Sequence, residues 1–181
     1  MIEVHHLHSE SRKKTQPVEP VIQVIKSRIP HREVAMDFGA GTGYFTIPLA
    51  GLFKKVYAVE KRRERIDYLK KRLEEEGIGN VVLIHSSELP EIGGDLLFLS
   101  NVLHELEEPG EFLRRASWLY DYVIVLDWKR IPTPGGPPIE ERITEEKAIE
   151  MLRRRFARVE RFEVYPYHYF LLGMKGGGGE R

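Results

Sequence analysis

Apolar residues follow two rhythms along this chain. Near-continuous apolar runs at 34–38, 54–60, 80–84, 95–99 and 122–126 have the length and composition of strands in a buried parallel sheet. Between them, apolar residues recur at helical spacing. Val18, Val21, Ile22, Ile25 and Ile29 form one stripe, which Pro30 closes. Ile66, Leu69 and Leu73 form another along 62–76, with Gly77 as a C-terminal stop. Phe112, Leu113, Ala116 and Leu119 mark the next helix. Ile149, Leu152 and Phe156 mark the last, with Thr144 as its cap and Glu145 and Glu146 suiting its dipole. Further strands are expected at 159–164 and 168–174. Strands alternating with helices predict an α/β fold with a doubly wound, largely parallel sheet. Residues 31–175 read as one domain, preceded by a polar segment and cap helix at 1–30 and followed by a flexible tail at 176–181.

The most informative stretch joins the first strand to the helical pattern after it: Asp37-Phe38-Gly39-Ala40-Gly41-Thr42-Gly43-Tyr44. Glycine at alternate positions permits positive φ and leaves no Cβ between loop and ligand. Free N–H groups at the following helix start are expected to face whatever binds there. Pro48, inside that helix, is expected to remove a backbone bond or bend it. The spacing discriminates between ligands. A dinucleotide turn needs G-x-G-x-x-G, and here Tyr44 stands where its last glycine belongs. Glu60 then ends the second strand, at the separation where an acid in nucleotide-binding α/β folds accepts from both ribose hydroxyls.

With Asp37 two residues before Gly39, this G-x-G-x-G form resembles motif I of the class I S-adenosylmethionine-dependent methyltransferases, and the order of strand-end residues extends the likeness from Val34 to Met174. The segment 101–106 (Asn-Val-Leu-His-Glu-Leu), the opening Arg12-Lys13-Lys14 and the stretch 136–142 are similar to the small-molecule branch related to ubiquinone/menaquinone biosynthesis methyltransferases. The resemblance implies a Rossmann-like, seven-stranded, mostly parallel sheet with an antiparallel last strand, and S-adenosyl-L-methionine as cofactor. It places the Gly39, Ala40, Gly41 and Gly43 backbone against the methionine and ribose portion. Asp37 would orient the methionine ammonium or the loop, Glu60 hold the ribose, Lys61 flank adenine, and Asn101 accept from the ammonium. One departure stands out. The family often has an acid after the third strand for the adenine amine, whereas this chain has Ser87, with Glu88 beside it. The leading helix would cover the cofactor mouth.

Composition narrows the function further. The chain has 181 residues, a formal net charge of +0 and no cysteine. A balanced charge gives no general attraction to nucleic acid or anionic membrane, and thiolate chemistry is absent. No apolar run approaches the roughly 18 residues of a membrane helix, and residues 1–10 lack a signal-peptide core, so a cytoplasmic location is expected. His5, His6 and His8 cluster without accompanying carboxylates, so no metal site is expected. Because a sulfonium methyl is already activated, alignment and water exclusion carry most of the catalysis, and a base matters only when the acceptor must lose a proton. His104, Glu105 and Asp127 are candidates by position; each has a plainer reading, as a structural histidine, a helix-start acid and a loop cap. Trp128, Tyr44, Tyr167 and Tyr169 are candidates to line an acceptor pocket or simply to fill the core. The function expected is methyl transfer to a small-molecule acceptor. The alternatives are a non-catalytic S-adenosylmethionine-binding module and an RNA or protein methyltransferase; the latter is disfavoured by neutral charge and by the lack of an Asn-Pro-Pro-Tyr motif. A nicotinamide-dependent oxidoreductase is disfavoured by the early third glycine. Oligomeric state is left open by the sequence.

Overall fold

A computed structural model describes residues 10–176. Its strands form a seven-stranded sheet in the order Val81–His85, Lys55–Glu60, Val34–Phe38, Gly94–Ser100, Tyr120–Trp128, His168–Met174, Arg158–Phe162. The chain divides into two compact units, 1–90 and 91–181. The histidines at 5, 6 and 8 and residues 177–181 of the expected tail lie outside the described residues.

In the first unit, β1 (Val34–Phe38), β2 (Lys55–Glu60) and β3 (Val81–His85) run parallel, with Asp37 opposite Ala58 and Glu60 opposite His85. Helices α1 (Glu10–Thr15) and α2 (Glu19–Arg28) precede them; the 10–15 stretch, part of the expected polar segment, is therefore helical. Helix α3 (Thr46–Ala50) has only five residues, so Pro48 falls in its first turn, where N–H groups lack intrahelical partners anyway. Helix α4 (Arg63–Glu75) buries Ile66, Leu69 and Leu73. It ends as Gly77 required: φ is 67°, the Ile78 N–H bonds the Leu73 carbonyl at 2.9 Å and the Gly77 N–H bonds that of Glu74 at 3.2 Å, a Schellman stop. Ala40, Ala58, Leu69 and Leu73 share one buried cluster, with Ile78, Val81 and Leu83 packed on it. Strand β3 is not buried throughout as its apolar run suggested, because it is an edge strand; Val82 is 40% exposed.

The second unit holds β4 (Gly94–Ser100), α5 (Pro109–Leu119), β5 (Tyr120–Trp128), α6 (Glu145–Arg153), β6 (Arg158–Phe162) and β7 (His168–Met174). Strand β5 pairs parallel with β4 and antiparallel with β7, which also pairs antiparallel with β6. The last strand is thus the antiparallel one, as expected. Strand β5 outruns its apolar core at both ends. At one end Tyr120 is fully buried and its hydroxyl donates to the Ile92 carbonyl; at the other, Asp127 and Trp128 pair with Tyr169 and His168. Thr144 caps α6, its hydroxyl oxygen accepting from the Lys147 N–H at 3.3 Å.

Candidate functional site

In the first unit the glycine loop is held by its own protein. Gly39, Gly41 and Gly43 have φ of 78°, 58° and 88°, each in the left-handed region that side chains avoid. The Gly39 and Ala40 N–H groups both donate to the Val59 carbonyl, at 2.8 and 2.9 Å, and the Gly43 N–H donates to the Ala40 carbonyl at 3.0 Å. The Gly41 N–H donates to Glu60 Oε2 at 2.8 Å. These four loop donors are therefore spent inside the fold. A loop so arranged offers no nest for a phosphate; what it offers is a Cβ-free surface. Gly43 has a packing reason as well, since a Cβ there would stand 2.3 Å from Leu69 Cδ1.

Glu60 is 3% exposed, and its other oxygen, Oε1, accepts from the Arg62 N–H at 2.9 Å. A carboxylate has about four acceptor sites, so two backbone bonds leave capacity for two hydroxyls. Asp37, 2% exposed, accepts from the Thr46 hydroxyl at 2.6 Å, tying the end of β1 to the first turn of α3. Burial pushes its carboxyl up to about 7, against the opposing pull of that hydrogen bond and of Arg12; Glu60 adds a small push in the same direction as burial. Thr46 was not legible as a site residue, because nothing in local spacing links it to Asp37.

Helix α1 is fastened beside the loop through Tyr44. The Arg12 guanidinium lies 4.2 Å from the Tyr44 ring centroid, the Tyr44 hydroxyl donates to the Gln16 carbonyl at 2.9 Å, and Phe45 meets Tyr44 edge-on at 5.0 Å. Tyr44 thus anchors α1. After β3, the Ser86 hydroxyl closes a tight turn by accepting from the Glu88 N–H at 2.9 Å, and Ser87 and Glu88 are both exposed. The Lys61 side chain is exposed, and its carbonyl faces His85 Nε2 at 3.0 Å.

In the second unit, Asn101 follows β4 with a φ of 59°, held by its N–H on the Leu126 carbonyl at 2.8 Å. Its Oδ1 is a buried acceptor with no hydrogen-bond partner among the described residues. His104, on the 3-10 turn Leu103–Glu105, meets Asp127 at the end of β5: Nδ1 lies 2.7 Å from Oδ1, and the His104 N–H donates to Oδ2 at 3.0 Å. Asp127 is 1% exposed and also accepts from the Trp128 N–H at 2.7 Å. Burial alone would lower the His104 pKa; the Asp127 hydrogen bond and charge, reinforced by Glu105 and Glu141, outweigh it and raise it. Glu105 itself is exposed. Trp128 is packed between His168, 4.1 Å away by ring centroids, and Gly136, where a Cβ would come within 2.7 Å of the indole. Arg142, 5% exposed, spends its guanidinium on the 129–137 stretch: the carbonyls of Lys129, Ile131, Gly135 and Pro137 and the Thr133 hydroxyl. Sequence showed Arg142 only as one charge among several. Tyr169 is 1% exposed with a hydroxyl that no described residue bonds; burial drives its pKa up. Tyr167 is half-buried and contributes its carbonyl to the Lys129 N–H.

These features fit an adenosyl sulfonium. It presents hydroxyls rather than a phosphate, matching the satisfied glycine loop and the part-used buried carboxylate of the first unit. A methyltransferase-domain model matches residues 36–119. The crystal structure of an S-adenosylmethionine-dependent methyltransferase from Aquifex aeolicus is similar over 96% of this chain and 97% of its own, at 27% identity and a TM-score of 0.82. A probable cobalt-precorrin-6B C(15)-methyltransferase (decarboxylating) from Methanothermobacter thermautotrophicus is 29% identical over 93 residues, 43% of this chain and 48% of that protein. A tRNA/tmRNA (uracil-C(5))-methyltransferase from Campylobacter curvus is 35% identical over 69 residues, 38% of this chain and 19% of that one. The chain therefore spans about half the length of the first of these curated relatives and less of the second. By fold and domain, the chain is similar to the class I S-adenosylmethionine-dependent methyltransferases. S-adenosyl-L-methionine is the cofactor of that class. Among the described residues no helix is long and apolar enough to cross a membrane, and no cluster of three or more His, Asp or Glu could hold a metal ion.

Proposed function

We propose that this protein transfers the methyl group of S-adenosyl-L-methionine to a small-molecule acceptor in the cytoplasm. The observation that carries the reading is the internally satisfied 39–43 loop clamped by Glu60. It suits a ligand that needs close approach and two hydroxyl acceptors, and it suits a dinucleotide poorly. In this reading the backbone of Gly39, Ala40, Gly41 and Gly43 gives the cofactor its bed and Glu60 accepts from the ribose hydroxyls. Asp37 shapes the loop through Thr46, and Lys61 flanks adenine, whose amine Ser87 or Glu88 reads. Asn101 Oδ1 accepts a hydrogen bond from the methionine ammonium. The domain is 31–175, with 1–30 as its cap. A balanced net charge of +0 supports a small acceptor over nucleic acid, as does the cobalt-precorrin named for the Methanothermobacter relative. The cofactor supplies an activated sulfonium methyl; the chain binds, orients and excludes water.

Isothermal calorimetry tests this. S-adenosylmethionine binds the wild type, NADH does not, and Glu60→Ala or Gly41→Val weakens the affinity at least tenfold, about 1.4 kcal/mol. Unchanged affinity in both variants refutes the site.

A further inference from the structure

We propose that this protein forms a two-fold dimer in which the β3 edges of two copies pair antiparallel and their α4 helices lie side by side. The interface belongs wholly to the first unit and is independent of the methyl-transfer reading.

Strand β3 ends the sheet and pairs only with β2. The Val56 N–H donates to the Asn80 carbonyl at 2.9 Å, and the Ser86 N–H donates to the Glu60 carbonyl at 3.2 Å. Peptide groups alternate in direction along a strand. Asn80, Val82, Ile84 and Ser86 therefore turn theirs toward β2, while Val81, Leu83 and His85 turn theirs outward. Among the described residues those outward backbone groups meet no hydrogen-bond partner. The strand also carries no lysine, no proline and no bulge, the features that commonly guard an edge.

The side chains of this edge suit a copy of itself. Antiparallel pairing centred on Leu83 sets Leu83 against Leu83 and Val81 against His85, as hydrogen-bonded pairs made by the outward groups. It sets Val82 against Ile84 at the positions where side chains approach most closely. That contact covers Val82, which is 40% exposed in the single chain.

Between α4 and β3 lies an open groove of about 430 Å³, with Leu73, Ile78, Val81 and Leu83 along its floor. Arg63, Asp67, Lys70 and Glu74 form its helical rim, one exposed stripe at i, i+4, i+7 and i+11. Arg63 and Asp67 pair loosely at 3.7 Å, whereas Lys70 and Glu74 have no ion-pair partner among the described residues. The stripe alternates in sign. Laid antiparallel on a second copy, Arg63 meets Glu74 and Asp67 meets Lys70, so every contact joins opposite charges. Laid parallel, every charge meets its like. An interface that is its own complement under reversal is the mark of a two-fold dimer.

Both patterns share one axis. Helix α4 starts just after β2 and descends beside β3, which rises in register with β2. Its 13 residues and the five of β3 span about 20 and 17 Å. Their midpoints, between Tyr68 and Leu69 and at Leu83, thus stand at similar height, and a two-fold normal to the sheet serves both. Helix α4 touches β2 as well as β3, which sets the two helices about 10 Å apart, an ordinary packing distance. Exposed ion pairs add little affinity. Here they choose the orientation, while the apolar groove and the strand bonds hold the copies together.

Sedimentation equilibrium of the full chain tests this. A mass twice the 21.1 kDa of one chain is expected, giving way to monomer on dilution. Asp67→Lys and Lys70→Asp should each raise the dimer dissociation constant about tenfold or more, because each sets like charges opposite one another twice. Mixed in equal amounts, the two variants should regain a dimer of wild-type strength, since each supplies the sign the other lacks. Misfolded variants could not do so. Val82→Lys, at an exposed position, should also disperse the dimer. Amide hydrogen exchange reads the strand contact: Val81, Leu83 and His85 should be protected in the dimer and exchange fast on dilution, while Val82 and Ile84 stay slow throughout. A monomer at every concentration overturns the proposal and leaves the edge to an extended segment of another protein. A dimer indifferent to both charge reversals overturns it too, as does one in which Val81, Leu83 and His85 exchange as they do in the monomer.

Discussion

Asp37 shows how one buried carboxyl links the loop to solution conditions. It is 2% exposed and bonded to Thr46, and burial lifts its pKa from 3.8 to about 7. The folded state therefore keeps the proton through a window in which the unfolded chain has lost it. The stability this group contributes is complete below the lower value and is lost as pH rises through the upper one. Asp37→Asn keeps an acceptor for the Thr46 hydroxyl and removes the titration. Melting temperatures measured at pH 5 and pH 8 should fall across that window in the wild type and much less in the variant; parallel behaviour of the two would contradict the assignment. His104 has the same sign: its raised pKa makes its contribution to stability largest in acid, whereas any role as a base grows as pH rises through that value. Of these residues the sequence made Asp37, Glu60 and His104 conspicuous, since each ends or follows an apolar run. Thr46 and the His104–Asp127 bond, 23 residues apart, were beyond it, because partnerships across strands leave no periodic trace.

At the scale of elements, helices announced themselves best where their ends had chemistry. Gly77 after α4 and Thr144 before α6 both behave as their residue types demand. The length of β5 and the exposed side of β3 were not legible, because strand order decides them and composition does not. The 129–137 stretch, rich in proline and glycine, reads as loose chain, yet Arg142 ties four of its carbonyls and one hydroxyl together. Arg142→Met should cost roughly 2–4 kcal/mol in urea denaturation, because the orphaned carbonyls lose a buried, charge-assisted donor; a loss below about 0.5 kcal/mol would show the stretch to be self-supporting. Gly43→Ala tests the other tight element. With φ of 88° and Leu69 Cδ1 only 2.3 Å from the new Cβ, it should destabilise by about 1–3 kcal/mol. Since Leu69 can swing its terminal methyl, most of that loss should persist in Gly43→Ala/Leu69→Ala when referenced to Leu69→Ala alone. Full recovery would make contact, and not backbone strain, the cause.

For the whole molecule, binding must appear as stability. A ligand at a hundred times its Kd adds about 2.7 kcal/mol to the folded state, so S-adenosylhomocysteine should raise the melting temperature by several degrees while NADH leaves it unchanged; an equal rise with both would return the loop to the dinucleotide class. The fold class was readable from the alternation of apolar runs alone, and the G-x-G-x-G spacing narrowed the ligand. The loop's own hydrogen bonds explain that narrowing better than spacing does. Glu60 and the Val59 carbonyl hold that bend from within the chain. Entry of the cofactor should then register in stopped-flow fluorescence as a single second-order phase whose rate climbs linearly with concentration, free of the plateau that a folding-over step would impose.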